Sequence, residues 1–261
     1  MSNPIILQIE NHIATLTFNR PDKLNALDEE IGKAFQKGLK EIDKNRDIRV
    51  VILTGAGRAF SAGGNLNMIE SRTHKKETVN KKELKMFYRI FLGVRNLRVP
   101  IISAVNGHAI GAGFCLALAC DLRYAAGDAK MGGNFAKIGL APGMGGTYLI
   151  TRLVGPTRAA EVLFLAENLS AQRAFDMGLL NGVFEGDKLM PHVHGVAKVI
   201  AENGPIPVAM IKKGIQKALH ATLEQMFEYD SACQAKTFTT EDIREGIRAI
   251  REKKSPNFQG R

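Results

Sequence analysis

Phe60-Ser61-Ala62-Gly63-Gly64-Asn65 follows the apolar run Val50-Val51-Ile52-Leu53-Thr54, and this coupling of a β-type run to a glycine-rich turn decides the reading of the chain. It recurs once, where Gly111-Ala112-Gly113 follows Ile101-Ile102-Ser103-Ala104-Val105. Each turn leads into a segment with helical character. Small residues let the backbone approach a ligand closely, and free N–H groups at a helix start favour negative charge. Two such N–H groups aimed at one carbonyl oxygen make an oxyanion hole. Taken alone, one glycine-rich turn reads as a helix C-cap or a tight packing contact.

Working outward, residues 5–9 and 13–18 alternate as two strands joined by a turn at Asn11-His12. Residues 28–44 carry Ile31, Phe35, Leu39 and Ile42 at helical spacing, with Asp28 placed as an N-cap. The stretch 67–82 is polar, basic and poor in large apolar side chains, which predicts a mobile loop over a site. Helix 82–97 follows, with Leu84, Phe87, Tyr88, Phe91 and Leu92 on one face. Strand 100–105, a buried helix near 112–120 and strand 121–126 continue a β/α alternation, which predicts a sheet with helices packed on it. Helices near 145–154, 156–165 and 171–177 precede a short strand at 181–184. From Asp187 to about Lys253 the chain reads as helical, with Pro191, Pro205 and Pro207 as breaks.

At 261 residues, with 45% hydrophobic and 24% charged side chains, the composition is that of a globular domain with an ample core. The net charge of +10 asks for an anionic partner or mere solubility. The 36 Lys and Arg are dispersed, with short clusters only at Lys75-Lys76, Lys81-Lys82, Lys212-Lys213 and Lys253-Lys254. No nucleic-acid motif accompanies them, so nucleic acid is not expected as a partner. Cys115, Cys120 and Cys233 lack metal-type spacing and are odd in number, which fits a reduced cytoplasmic compartment and no metal site. Residues 1–10 lack the basic start and apolar core of a secretory signal. The stretch from Val99 to Cys120 is broken by Asn106, His108 and three glycines, and reads as strand, loop and buried helix, not as a membrane span.

Four segments carry a family resemblance. Asn19-Arg20-Pro21-Asp22-Lys23-Leu24-Asn25-Ala26-Leu27 and Ala59-Phe60-Ser61-Ala62-Gly63-Gly64-Asn65-Leu66 are similar to the first two signatures of the crotonase (enoyl-CoA hydratase/isomerase) superfamily. Ala104-Val105-Asn106-Gly107-His108-Ala109-Ile110-Gly111-Ala112-Gly113, with Leu116-Ala117-Leu118-Ala119-Cys120-Asp121 after it, resembles the third. Ile138-Gly139-Leu140-Ala141-Pro142-Gly143-Met144-Gly145-Gly146-Thr147 resembles the fourth. The resemblance implies an α/β fold, a crotonase spiral of β/α units over residues 1–186, and a helical C-terminal region over 187–261 through which subunits form a homotrimer or a dimer of trimers. It implies an acyl-CoA substrate, with coenzyme A entering as part of that substrate and no permanently bound cofactor.

By the same resemblance, the backbone N–H groups of Gly64 and Ala112 form the oxyanion hole. The loop carrying Lys23 and Leu24 and the strip from Ala62 through Asn65 to Leu66 line the pantetheine and adenine pocket, and Gly111, Phe135, Pro142 and Gly143 are further substrate-binding positions. Lys23 reads equally as a phosphate contact or as an exposed lysine with no specific role. The acid/base positions are where this chain departs from the family. Hydratases hold a water between two glutamates, whose places here are Cys115 and Phe135. Several isomerases use one Asp or Glu after the proline of the fourth motif, where this chain has Gly143. All three carboxylate positions are empty. Cys115 is either a proton carrier or, as is favoured, a small buried apolar residue. Asn134 either orients a substrate carbonyl or caps a helix. His108 is read as structural and Asp121 as a cap or turn residue, while Tyr88, Glu70 and His74 lie in or beside the expected lid. The leading reading is an isomerase-like or decarboxylase-like enzyme, not a true hydratase. The alternative is a catalytically inactive acyl-CoA-binding paralogue.

Overall fold

The computed structural model describes residues 3–261, so Met1 and Ser2 of the segment read for a leader lie outside the described residues. The chain opens with the hairpin β1 (Ile5–Glu10) and β2 (Ile13–Phe18), turned through Asn11 and His12, both with positive φ. Helix α1 (Glu29–Lys44) begins where the Asp28 side chain accepts from the Ile31 amide, and buries Ile31, Phe35, Leu39 and Ile42 as their spacing predicts. There follow β3 (Val50–Gly55), β4 (Ala59–Ser61), α2 (Leu66–Arg72), α3 (Glu77–Phe91), β5 (Ile101–Val105), β6 (His108–Ile110) and α4 (Ala112–Leu118). The chain continues through β7 (Leu122–Ala126), β8 (Lys130–Gly132), α5 (Gly146–Leu165), β9 (Leu169–Ser170), α6 (Ala171–Asp176) and β10 (Gly182–Phe184). Four helices close it: α7 (Gly186–Glu202), α8 (Pro205–Ala218), α9 (Leu223–Thr237) and α10 (Glu241–Glu252).

The strands form two sheets, ordered β1-β2-β3-β5-β7-β10 and β4-β6-β8-β9. From β2 onward the large sheet is parallel, and β3 and β5 are buried along their whole length. Such strands are covered on both faces, which is why they read as unbroken apolar runs. One face packs against α1, α3 and α4, where Phe35 stacks between Phe18 and Phe91 at 5.3 and 5.5 Å. The other face carries α7, whose Leu189, Val193, Ala197 and Ala201 meet Val50, Ile52, Ile102 and Ala104. The pairs β3/β4, β5/β6 and β7/β8 each place one strand in each sheet, so the chain winds forward by one β/α unit per turn. This is the spiral the sequence led us to expect.

Two local expectations are corrected, while the break expected at Pro205 is found between α7 and α8. Residues 67–82 are no loop: they form most of α2 and the start of α3. Arg72 and Lys75 both pair with Glu83 at 2.8 Å, and the Asn80 amide donates to the Arg72 carbonyl, so polar contacts hold a stretch that carries no long apolar stripe before Leu84. Pro191 lies inside α7 without breaking it, because the lost hydrogen bond falls on an exposed side of a helix anchored by its buried row. Pro205 and Pro207 begin α8, a position where proline fits and its missing N–H is not needed. The short strands β4, β6, β8 and β9 carry no alternating pattern long enough to predict, and they build the sheet that positions the site.

Candidate functional site

Both glycine turns leave the same edge of the small sheet. β4 and β6 are parallel neighbours, with Ala59 opposite His108 and Ser61 opposite Ala109. The turn after β4 runs into α2, and the turn after β6 runs into α4. Their contact depends on glycine. Gly63 has φ 93°, and a Cβ there would lie 2.6 Å from the Ile110 carbonyl oxygen and 3.4 Å from the Ala112 nitrogen. A Cβ on Gly113 would lie 2.5 Å from the Ser61 carbonyl oxygen. Neither approach leaves room for a side chain, and φ at Gly63 disfavours one.

The loop before α1 locks the first turn in place. Buried Asn25 donates through Nδ2 to the carbonyls of Ala56 and Ala59, and its own carbonyl accepts from Ser61 Oγ at 2.8 Å. Successive amides of the turn are then consumed: Ala62 N–H donates to Leu24 O at 2.9 Å, Gly63 N–H to Ser61 Oγ at 3.2 Å and Asn65 N–H to Leu27 O at 3.0 Å. In the second turn Gly111 N–H donates to Gly132 O at 2.8 Å. Between these spent donors, the amides of Gly64 and Ala112 have no acceptor among the described residues. Both residues line one cavity of about 450 Å³. Two unspent amides beside one cavity have the makings of an anion site.

The cavity places the predicted residues in two groups. Ala62, Gly64, Leu66, Gly111, Ala112, Asn134, Phe135 and Gly143 line it. Lys23, Leu24, Asn65, Cys115 and Pro142 do not. Lys23 is exposed at the end of a 3-10 turn, Leu24 holds the Ala62 amide, and Asn65 caps α2 by accepting from Met68 N–H at 3.3 Å. Cys115 needs correction as a candidate proton carrier: it is fully buried beneath the cavity wall, and burial pushes its thiol up to about 12. A thiol held neutral and sealed from the cavity behaves as a small apolar residue. His108, Glu70 and His74 also lie outside the cavity and are exposed. Asp121 is structural: its carboxylate accepts from the Ile101 amide and from Lys212 Nζ, each at 2.8 Å.

The opposite wall comes from α2 and α3. Arg72, Thr73, Asn80, Leu84, Phe87 and Tyr88 line it, with the Arg72 guanidinium held by Glu83. Lys75, then Arg72, hold the Glu83 carboxyl below its ordinary range against the opposing effect of burial. Burial pushes the Tyr88 phenol up, Arg72 opposing it. Sequence reasoning missed Arg72 and Asn80, because nothing in the pattern separates Arg72 from the other dispersed cations. No group of three His, Cys, Asp or Glu side chains among the described residues is disposed to hold a metal ion. No helix among them is long and apolar enough to cross a membrane.

Comparison with known proteins decides the lineage of this site. The family model for enoyl-CoA hydratase/isomerase matches residues 8–261. The chain belongs to that family. A short-chain-enoyl-CoA hydratase of Clostridium acetobutylicum is 35% identical over 254 residues, spanning 97% of this chain and 96% of that protein. A 1,2-epoxyphenylacetyl-CoA isomerase of Escherichia coli is 34% identical over 258 residues, spanning 98% of each. Among solved structures, an enoyl-CoA hydratase from Bacillus anthracis superposes with a TM-score of 0.93 at 33% identity, covering 99% of this chain and 100% of that one. This member of the enoyl-CoA hydratase/isomerase family is an enzyme whose relatives include both hydratases and isomerases.

Proposed function

We propose that this enzyme acts on an acyl-CoA thioester whose carbonyl oxygen rests between the amides of Gly64 and Ala112, and that the reaction proceeds through the enolate they stabilise. The reading is carried by one observation: among the described residues these two N–H groups both lack a protein acceptor and both line one cavity, whereas the unspent amide of Gly113 belongs to a residue outside that lining. A donor of this kind contributes roughly 3–4 kcal/mol where charge develops on oxygen. The glycines that let the turns touch also hold the donors still, so little reorganisation opposes the reaction.

Two-glutamate hydration has no support here, since Cys115 and Phe135 stand at those positions and no Asp, Glu or His is among the cavity residues. Isomerisation and decarboxylation both pass through an enolate and are the reactions we propose. Decarboxylation reaches the enolate by loss of CO₂, with no general base. Coenzyme A takes part as a portion of the substrate, with no resident cofactor. The tail from α8 to α10 presents Leu223, Phe227, Phe238 and Ile250 to solvent, and we propose that it assembles a homotrimer or a dimer of trimers. The three free cysteines fit a cytoplasmic setting.

The test uses purified protein. Crotonyl-CoA hydration is expected to be negligible, and turnover at an ordinary hydratase rate would refute the proposed chemistry. Ala112 is the first residue of α4, a position that accepts proline, so Ala112→Pro deletes one donor. It is expected to lower kcat by about 10²–10³ with acyl-CoA binding retained. An unchanged kcat in a folded variant would remove the oxyanion role of that amide.

A further inference from the structure

The cavity that holds the two free amides contains few side chains able to exchange a proton. Arg72, Thr73, Asn80, Tyr88 and Asn134 are the polar residues of its lining. Arginine stays protonated, and threonine and the amides do not titrate in water. The remaining lining is apolar or glycine. Tyr88 is thus the single lining side chain whose proton comes and goes in an accessible pH range.

Its placement is equally specific. Tyr88 sits on α3 with its ring edge-on to Phe87 at 6.4 Å, half-buried, and its hydroxyl has no partner among the described residues. The hydroxyl reaches the Gly143 backbone so closely that a Cβ at 143 would lie 2.8 Å from it. Glycine at 143 is what admits the phenol to that end of the cavity. Arg72 faces the same cavity from α2, a fixed positive charge with its own carboxylate partner in Glu83.

We propose that Tyr88 is the acid–base catalyst of this enzyme, its hydroxyl exchanging a proton with the carbon of the enolate held at Gly64 and Ala112. This rests on the enolate chemistry proposed above. In the forward step the enolate electron pair forms a new C–H bond, the thioester C=O is restored, and the Oη–H bond breaks to leave a phenolate facing Arg72. A proton from water then regenerates the phenol. In reverse, phenolate takes the α-hydrogen and the charge moves to the thioester oxygen. A thioester C–H is a far weaker acid than a phenol, so Tyr88 completes an enolate more readily than it creates one. The charged and titratable groups facing it from neighbouring elements are Arg72 on α2 and Cys115 on α4. Cys115 is neutral at working pH, leaving Arg72 as the permanent charge.

The experiment follows exchange of the α-hydrogens of butyryl-CoA in D₂O, by mass spectrometry, with the full-length protein. For the wild type, exchange is expected to rise about tenfold per pH unit between roughly pH 7 and 9, as the phenolate fraction grows. Tyr88→Phe is expected to lower exchange by at least about a hundredfold and to flatten the pH profile, while the Kd for butyryl-CoA stays within about threefold. Gly143→Ala, which keeps the phenol but puts a methyl in its place, is expected to lower exchange in the same way and covers the case of an unfolded Tyr88→Phe. A Tyr88→Phe or Gly143→Ala protein that keeps wild-type exchange and pH slope, while Ala112→Pro loses exchange, overturns the role of Tyr88 alone. A wild-type protein that binds butyryl-CoA but never exchanges its α-hydrogens overturns the enolate reading and this inference together.

Discussion

The two walls of the cavity are built on different principles. The wall after β4 and β6 acts through backbone: its donors are peptide amides, and its side chains are mostly hydrogen or methyl. The α2–α3 wall acts through side chains, with Arg72, Asn80 and Tyr88 displayed on helices that bury only Phe87 and Phe91. The first wall is pinned by glycines at which a Cβ would come within 3 Å of a facing carbonyl oxygen, and by a chain of spent amides. The second is held by Glu83, which gathers Arg72 and Lys75, and by the Asn65 cap.

The largest expected effect comes from breaking the backbone wall. Gly63→Ala forces a methyl to within 2.6 Å of the Ile110 carbonyl oxygen at a φ of 93°. It is expected to cost about 1–3 kcal/mol of stability and to abolish most activity by prising the turns apart. Thermal melts and turnover that match the wild type would show that the turns tolerate separation. Intermediate is the cap of the side-chain wall. Asn65→Ala is expected to cost about 1 kcal/mol and to raise KM for acyl-CoA more than it lowers kcat, since α2 carries Arg72 but none of the free amides. A kcat loss with KM unchanged would put α2 on the catalytic side of the comparison.

The smallest effect is electrostatic. Pairing with Lys75 and Arg72 lowers the folded pKa of Glu83, so its contribution is present above the ordinary carboxylate range and is lost as pH falls through the lowered value. A ¹³C NMR titration of Glu83 is expected to show a midpoint below that of an ordinary glutamate. A midpoint at or above it would mean that the helices are held by something other than this ion pair.

The two walls were also unequally legible. Gly63, Gly64, Gly111 and Gly113 stand out, and Ala112 with them by its place between two glycines, because glycine where the backbone must turn and approach another chain segment has few substitutes. Asp28 was recognisable as a cap, and Ile31, Phe35, Leu39 and Ile42 as one buried face, because helical spacing records burial directly. The stretch 67–82 reads as a loop for the opposite reason. Its stability comes from Glu83, Asn80 and Asn65 meeting partners that no periodicity reports.

From residue order come the β/α alternation, which depends on residue types at short spacing, and four ordered motifs whose resemblance points to the family to which the chain belongs. Folding in three dimensions settled the rest. It put Cys115 beneath the cavity wall and the Tyr88 hydroxyl inside it, against Gly143, which lies 55 positions further along the chain. Such meetings arise where helices remote in sequence come together around one cavity, and local sequence holds no trace of them.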